Sequence, residues 1–235
     1  MVSAAMRVVV PPRLDAQGVD CLSQALRAAL LQGTHLVLVG SAPEVFCTGL
    51  DLAVDGADMA EGAALLTSGF AELLIDLWQA PLPTLAVVDG PALGGGMGLV
   101  AACDRIIATP QATFGLPEML WGLVPAIIWP TITTRLTTPR ARWWALTGRA
   151  RTATEALAEG FVDEVVPSGE LMSMTTARLR DSRRADRSAL PLLRSLSGPG
   201  IAASIRAGSA LTHTRLAEPE VRRRLNSFAL GDAPW

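Results

Sequence analysis

The segment from Pro83 to Glu118, PTLAVVDGPALGGGMGLVAACDRIIATPQATFGLPE, constrains the fold more than any other part of the chain. Thr84 to Val88 is a short apolar run rich in Val, bounded by Pro83 and Gly90, and reads as a buried strand. Asp89-Gly90 turns the chain. Gly94, Gly95 and Gly96 then lead into Met97 to Cys103, which reads as a helix start. A peptide N–H there has no intrahelical partner and no Cβ guarding it, so an anionic oxygen can approach closely. Arg105 to Ala108 reads as a second strand. Glu118 follows Pro117, where a short helix can begin.

Three readings compete for the glycine run. A dinucleotide phosphate loop fits poorly: Gly94, Gly96 and Gly98 give GxGxG with Val100 next, and no acidic residue follows at the required place about 20 positions on. A structural turn needs nothing more than the glycines themselves. The third reading is an oxyanion hole for a thioester carbonyl, and an upstream segment favours it. Glu44 to Leu52, EVFCTGLDL, follows a strand expected over His35 to Val39 and places a glycine among small and apolar residues.

Taken together, FCTGLDL, DGxxxGGG, AACD and FGLPE resemble the crotonase (enoyl-CoA hydratase/isomerase) superfamily in order and spacing, from about Gln17 to Val166. The resemblance implies an α/β crotonase fold. That fold is a spiral of strand-strand-helix turns, here expected over residues 1–166, with a C-terminal helical trimerisation region over 167–235. It implies an oxyanion hole made by the backbone N–H groups of Leu50 and Gly95, and a catalytic Glu118. Asp51, Gly96 and Trp121 are expected around the substrate, and Leu116 and Met119 beside Trp121 in an apolar pocket. The second glutamate used by hydratases of the family falls at Gly98 and is missing. VFCTGLDL, GGGMGLVAACD, EMLWGLVPA and ALTGRARTATEALAEGFVDEV further resemble the dehydratases of polyketide β-branching cassettes. Those enzymes remove water from a 3-hydroxy-3-methylglutaryl group, or an analogue, on an acyl carrier protein. The implied alternatives are an enoyl thioester double-bond isomerase, which also needs one glutamate, and a non-catalytic crotonase-fold subunit that binds a carrier protein.

The composition agrees with a soluble enzyme of one domain, or of one domain with a small appendage. The 235 residues are 50% hydrophobic and 18% charged, enough for a large core. The net charge of −2 leaves no basic footprint for nucleic acid. No apolar run reaches membrane-spanning length, and Met1 to Val10 is short for a signal peptide, so a cytoplasmic location without membrane attachment is expected. Cys21, Cys47 and Cys103 have no metal-like spacing and read as buried small residues in a reducing compartment. No metal and no cofactor is expected; an acyl-phosphopantetheine or acyl-CoA is the substrate carrier. All 20 basic residues are arginines and there is no tyrosine, which excludes Schiff-base chemistry and a tyrosine acid.

Along the chain, Arg7 to Val10 reads as a strand stopped by Pro11-Pro12. Val19, Leu22, Leu26 and Leu30 mark a helix over Gln17 to Leu31, capped by Asp15. Asp51 to Gly69, with Gly56 and Gly62, reads as a mobile loop over the site, and Phe70 to Trp78 as a helix. Pro125 to Leu136, kinked at Pro130, and Pro139 to Leu146 read as helices. Thr152 to Glu159 has a capping box and ends at Gly160. Phe161 to Val166 is the last strand expected. Ser168 to Trp235 reads as helical with a break around Ser197 to Gly200, and resembles C-terminal helices that pack against neighbouring subunits. A homotrimer, or a hexamer of paired trimers, follows from that resemblance. Asp104 is expected to be structural. Trp121, Trp129, Trp143 and Trp144 are expected mostly in the core, with Trp121 near enough to Glu118 to line an acyl pocket.

Overall fold

The structure, a computed structural model, describes residues 5–42, 44–52, 59–198 and 200–229. β1 (Met6–Val10) is followed by α1 (Ala16–Gln32), whose N-terminus is capped by Asp15, the carboxylate accepting from Gly18 N at 2.6 Å. Val19, Leu22, Leu26 and Ala29 bury one face of α1, the spacing of an amphipathic helix. β2 (Leu36–Gly40) comes next, then α2 (Met59–Trp78). α2 begins well before Phe70, so much of the stretch expected as a loop is helix; residues 53–58 lie outside those described.

β3 (Thr84–Val88) is buried at every position, as expected of a strand covered on both faces. β4 (Pro91–Leu93), α3 (Gly95–Ala101), β5 (Arg105–Ala108) and β6 (Thr113–Gly115) follow, and then a 3₁₀ turn over Glu118–Trp121. α4 (Trp129–Arg135) and α5 (Thr138–Thr147) each carry a proline in the first turn. Pro130 therefore sits where its missing N–H has no intrahelical role, and it starts α4 rather than kinking a longer helix. β7 (Arg151–Thr152) leads into α6 (Ala153–Ala158), whose capping box pairs Thr152 with Glu155 in both directions. β8 (Glu164–Val165) is shorter than the strand expected there. α7 (Leu171–Ser182), α8 (Leu190–Ser197), α9 (Ile201–Leu216) and α10 (Pro219–Ala229) complete the order.

The main sheet has the order β1-β2-β3-β5-β8, all parallel. On one face Leu36, Leu38, Ala86 and Val88 enter the large core with α1, α2 and α3. On the other, Val37, Val39, Leu85 and Val87 pack against Leu171 of α7. A second sheet stacks β4 on β6 in parallel and β6 on β7 antiparallel. Cys47 extends this second layer through a parallel bridge to Ala92, and Leu14 bridges Leu50 in the same sense. Successive turns of a spiral are thus laid one on the next, the crotonase architecture the motifs implied. Asp104 has a structural role: its Oδ2 accepts from Thr84 N, Thr84 Oγ1 and Arg194 Nη2. Two expectations about single residues are corrected. Cys21 is exposed on the outer face of α1, and Trp143 is 62% exposed on α5, whereas Trp144 is fully buried.

Candidate active site

Three consecutive turns of the spiral end at one place. Phe46 N and Cys47 N both donate to Pro91 O, and Leu93 N donates to Cys47 O. On its other side Gly94 N donates to Gly115 O at 3.0 Å. β4 therefore holds the Cys47 segment on one flank and β6 on the other. Just past the carboxyl ends of these three segments come Leu50, Gly95 and Glu118.

The first segment turns sharply after Cys47. Gly49 has φ +98°, left-handed backbone that glycine adopts without a Cβ penalty. Its carbonyl accepts from Leu14 N, and Asp51 N donates to Leu14 O, so residues 49 and 51 face the Leu14 strand. Alternation along a strand turns the Leu50 N–H to the opposite side. Gly94 is also left-handed, with φ +50°, and reverses the chain into α3. Gly95 opens that helix, so its N–H is one of the donors a helix leaves unpaired. Among the described residues neither Leu50 N nor Gly95 N donates to another backbone group. The two glycine turns touch: a β-carbon on Gly49 would lie 3.0 Å from Gly95 N.

Glu118 stands at the start of the 3₁₀ turn, with Leu123 N donating to its carbonyl. Its carboxylate lies against Gly94, where a β-carbon would be 3.3 Å from Oε1. Its Oε2 is shielded from solvent and has no hydrogen-bond partner. Burial pushes the carboxyl up to about 7, opposed in part by its own backbone N–H. A cavity of about 80 Å³ opens here, with Leu50, Phe70, Gly95, Trp121 and Ile128 among its walls and Glu118 its one titratable lining residue among those described.

The residues named from the sequence are not all at this cavity. Trp121 lines it. Asp51 is not among its walls, and its Oδ1 accepts from Arg13 Nη2 at 2.6 Å. Gly96 sits behind the wall, where a β-carbon would be 2.1 Å from Cys47 O, so glycine here lets the Cys47 segment and α3 approach. Met119 is exposed rather than in the cavity, and Leu116 is buried without lining it. Burial raises the Cys47 thiol to about 11 and Cys103 to about 12, which leaves both as un-ionised packing groups.

Sequence reasoning missed Ile128, Phe70 and Thr212. Ile128 fills the space beside Gly98: a β-carbon at Gly98 would be 2.2 Å from Ile128 Cγ2 and 2.7 Å from its Cβ. The space that a side chain at position 98 would enter holds a stiff β-branched side chain instead. Thr212 comes from α9, so the C-terminal helices expected against neighbouring subunits also pack over this chain's own cavity. Their polar-apolar periodicity gave no sign of which surface they would cover.

The chain belongs to the enoyl-CoA hydratase/isomerase family, whose model matches residues 14–197. The bacillaene synthase dehydratase PksH of Bacillus subtilis (strain 168) is 33% identical over 148 residues, which cover 61% of this chain. The match spans 56% of that relative, less than two thirds of its length. The crystal structure of PksH from Bacillus subtilis is 20% identical and superposes with a TM-score of 0.83 over 98% of this chain and 96% of that one. Human mitochondrial delta3-delta2-enoyl-CoA isomerase, 20% identical, gives 0.86 over 93% of this chain and 88% of its own. At these identities the two structures speak for the fold alone.

No helix among the described residues is long and apolar enough to cross a membrane.

Proposed function

We propose that the protein dehydrates a 3-hydroxy-3-alkylglutaryl thioester carried on an acyl carrier protein, as in polyketide β-branching. The observation that carries this reading is the buried Glu118 carboxyl, with its Oε2 unpartnered and no second titratable lining residue among those described, in a cavity beside two adjacent amide turns. The dehydratase named among the relatives supports it.

The thioester carbonyl oxygen accepts from Leu50 N–H and Gly95 N–H. Glu118 takes the proton from the carbon next to the carbonyl, and the C–H electron pair moves into the carbonyl to give an enolate held by the two amides. As the enolate collapses, the new double bond forms and the C3–O bond breaks. Glu118, now a carboxylic acid, gives its proton to the departing hydroxyl, which leaves as water. One carboxyl does both jobs, so both groups lie on one face and the elimination is syn. A carboxyl near pH 7 is suited to this exchange, being a stronger base than an exposed glutamate and a competent acid.

Incubation with a 3-hydroxy-3-methylglutaryl carrier protein separates the readings by intact mass and absorbance. A dehydratase removes one water; an isomerase changes the spectrum at constant mass; a carrier-binding subunit does neither.

The packing of Ile128 on Gly98 supplies a second expectation. Gly98→Glu alone will destabilise the fold by about 1–3 kcal/mol or more, because its β-carbon runs into Ile128. Adding Ile128→Ala makes room; the double variant will regain stability and gain hydration of crotonyl-CoA. A Gly98→Glu protein with unchanged melting temperature argues against a closed wall.

We further propose assembly into a homotrimer or hexamer in the cytoplasm. Leu192 and Leu196 of α8 are 69% and 81% exposed, apolar surface suited to a second copy. A monomer in light scattering at micromolar concentration contradicts this.

A further inference from the structure

The turn that carries Glu118 is held from outside by one arginine. Within the turn, Gly122 N donates to Met119 O and Leu123 N donates to Glu118 O. Its closing carbonyl, Gly122 O, accepts two bonds from Arg215 of α9, from Nε at 3.0 Å and from Nη2 at 2.5 Å. The remaining nitrogen, Nη1, donates to both oxygens of Glu218 at 2.7 Å, which fixes the plane of the guanidinium. One helical turn before Arg215, Thr212 lines the cavity. Beyond it, Leu216, Val221 and Leu225 pack on Leu123, with Trp121 and Leu52 against the same cluster. α9 and α10 thus cap the Glu118 turn with an apolar plug and a two-pronged polar clamp.

We propose that Arg215 is a positioning residue for Glu118: its clamp on Gly122 O fixes the turn, keeps the carboxylate in its dry place beside Gly94, and makes the C-terminal helices part of this chain's own active site. The inference rests on the reading of Glu118 as the acid–base group. A lysine cannot replace the guanidinium, because a single ammonium does not offer two parallel donors on one oxygen while a third group binds a carboxylate. Trp121 lies within this turn and Leu123 directly after it, and both line the cavity beside Glu118.

Among the described residues the charged groups of α9 and α10 behind the turn are Arg215, Glu218, Glu220 and Arg224; on the same helices His213 is bonded to Thr67, Arg222 to the carbonyls of Leu216 and Ala217, and Arg223 to Glu220. Arg224 is paired with Glu220 at 3.0 Å. On the Leu50 side Arg13 is paired with Asp51, and beyond the end of α5 Arg149 is paired with Glu155. None of these enters the cavity. Loosening the turn therefore acts on Glu118 by admitting water, not by moving a charge toward it, and the carboxyl falls from about 7 toward its ordinary 4.5.

The test follows Glu118 itself. Its carboxyl carbon is titrated by ¹³C NMR in the wild type, Arg215→Met and Arg215→Lys, and kcat and KM are measured against pH with 3-hydroxy-3-methylglutaryl-CoA as probe. For Arg215→Met the Glu118 titration is expected to move down by about one pH unit or more, and kcat to fall about ten-fold with KM within about two-fold. Arg215→Lys is expected to move the same way by less, and carries the test if the methionine variant does not fold. An unmoved Glu118 titration in folded Arg215 variants overturns the proposal, even if stability drops. Glu118→Gln is run in parallel: full activity there would mean that the acid–base reading has failed, whatever Arg215 does.

Discussion

Glu118→Gln will lower kcat by about 10²–10⁴ while leaving the fold intact. The amide matches the carboxylate in shape, so Gly94 and the cavity walls are undisturbed. What is lost is the one group lining the cavity, among the described residues, that can take a proton. No second titratable side chain lines the cavity among the described residues, and Ile128 fills the space beside Gly98. On the proposed mechanism, residual catalysis comes from the two amides and from substrate binding. Steady-state kinetics on a hydroxyacyl thioester check this. A folded variant within a few-fold of wild type removes Glu118 from the mechanism.

The same substitution will stabilise the protein at neutral and alkaline pH. The Glu118 carboxyl lies at about 7 in the folded chain against an ordinary value of 4.5, so folding disfavours its ionisation. Well below pH 4.5 the group is protonated in both states and adds no pH-dependent cost. As pH rises to about 7 the unfolded chain ionises freely while the folded chain resists, and stability drains away through this window. Above it the loss is constant at roughly 3 kcal/mol, the free-energy equivalent of that shift, as an upper figure. The neutral amide of the Glu118→Gln variant carries no such cost at any pH. Urea denaturation at about pH 8 should show the variant more stable by up to that amount, and at about pH 4 the two should converge. Stability differences that do not change between these conditions would mean that Glu118 is not desolvated. Loss of activity with gain of stability is what a group held in an unfavourable place for chemistry produces.

Much of this site is legible in local sequence because its parts are short and glycine-marked. Thr84 to Val88 and Arg105 to Ala108 are strands with the bounds the apolar runs suggested. The Asp15 cap and the Thr152–Glu155 box are written in adjacent residues and were readable for that reason. β4, β6 and β7 were not, since strands of two or three residues carry no periodicity and exist through pairing with distant segments. The start of α2 was obscured by Gly62, a poor helix former close to its first turn. The partner of Gly98 lies thirty residues on, at Ile128, and nothing local to either position announces the contact. The Arg215 clamp is hidden in the same way among twenty arginines of one kind.

In the proposed reaction one carboxyl both removes the proton and delivers it to the leaving hydroxyl. The most direct measurement uses a 3-hydroxy-3-methylglutaryl carrier protein deuterated stereospecifically on the carbon next to the thioester, with the product analysed by mass spectrometry. The deuterium on the same face as the hydroxyl is expected to be lost and the other retained, and Glu118→Gln is expected to form no product on the same time scale. Retention of the same-face label with loss of the opposite one means anti elimination by two separate groups, and contradicts a single acid–base carboxyl.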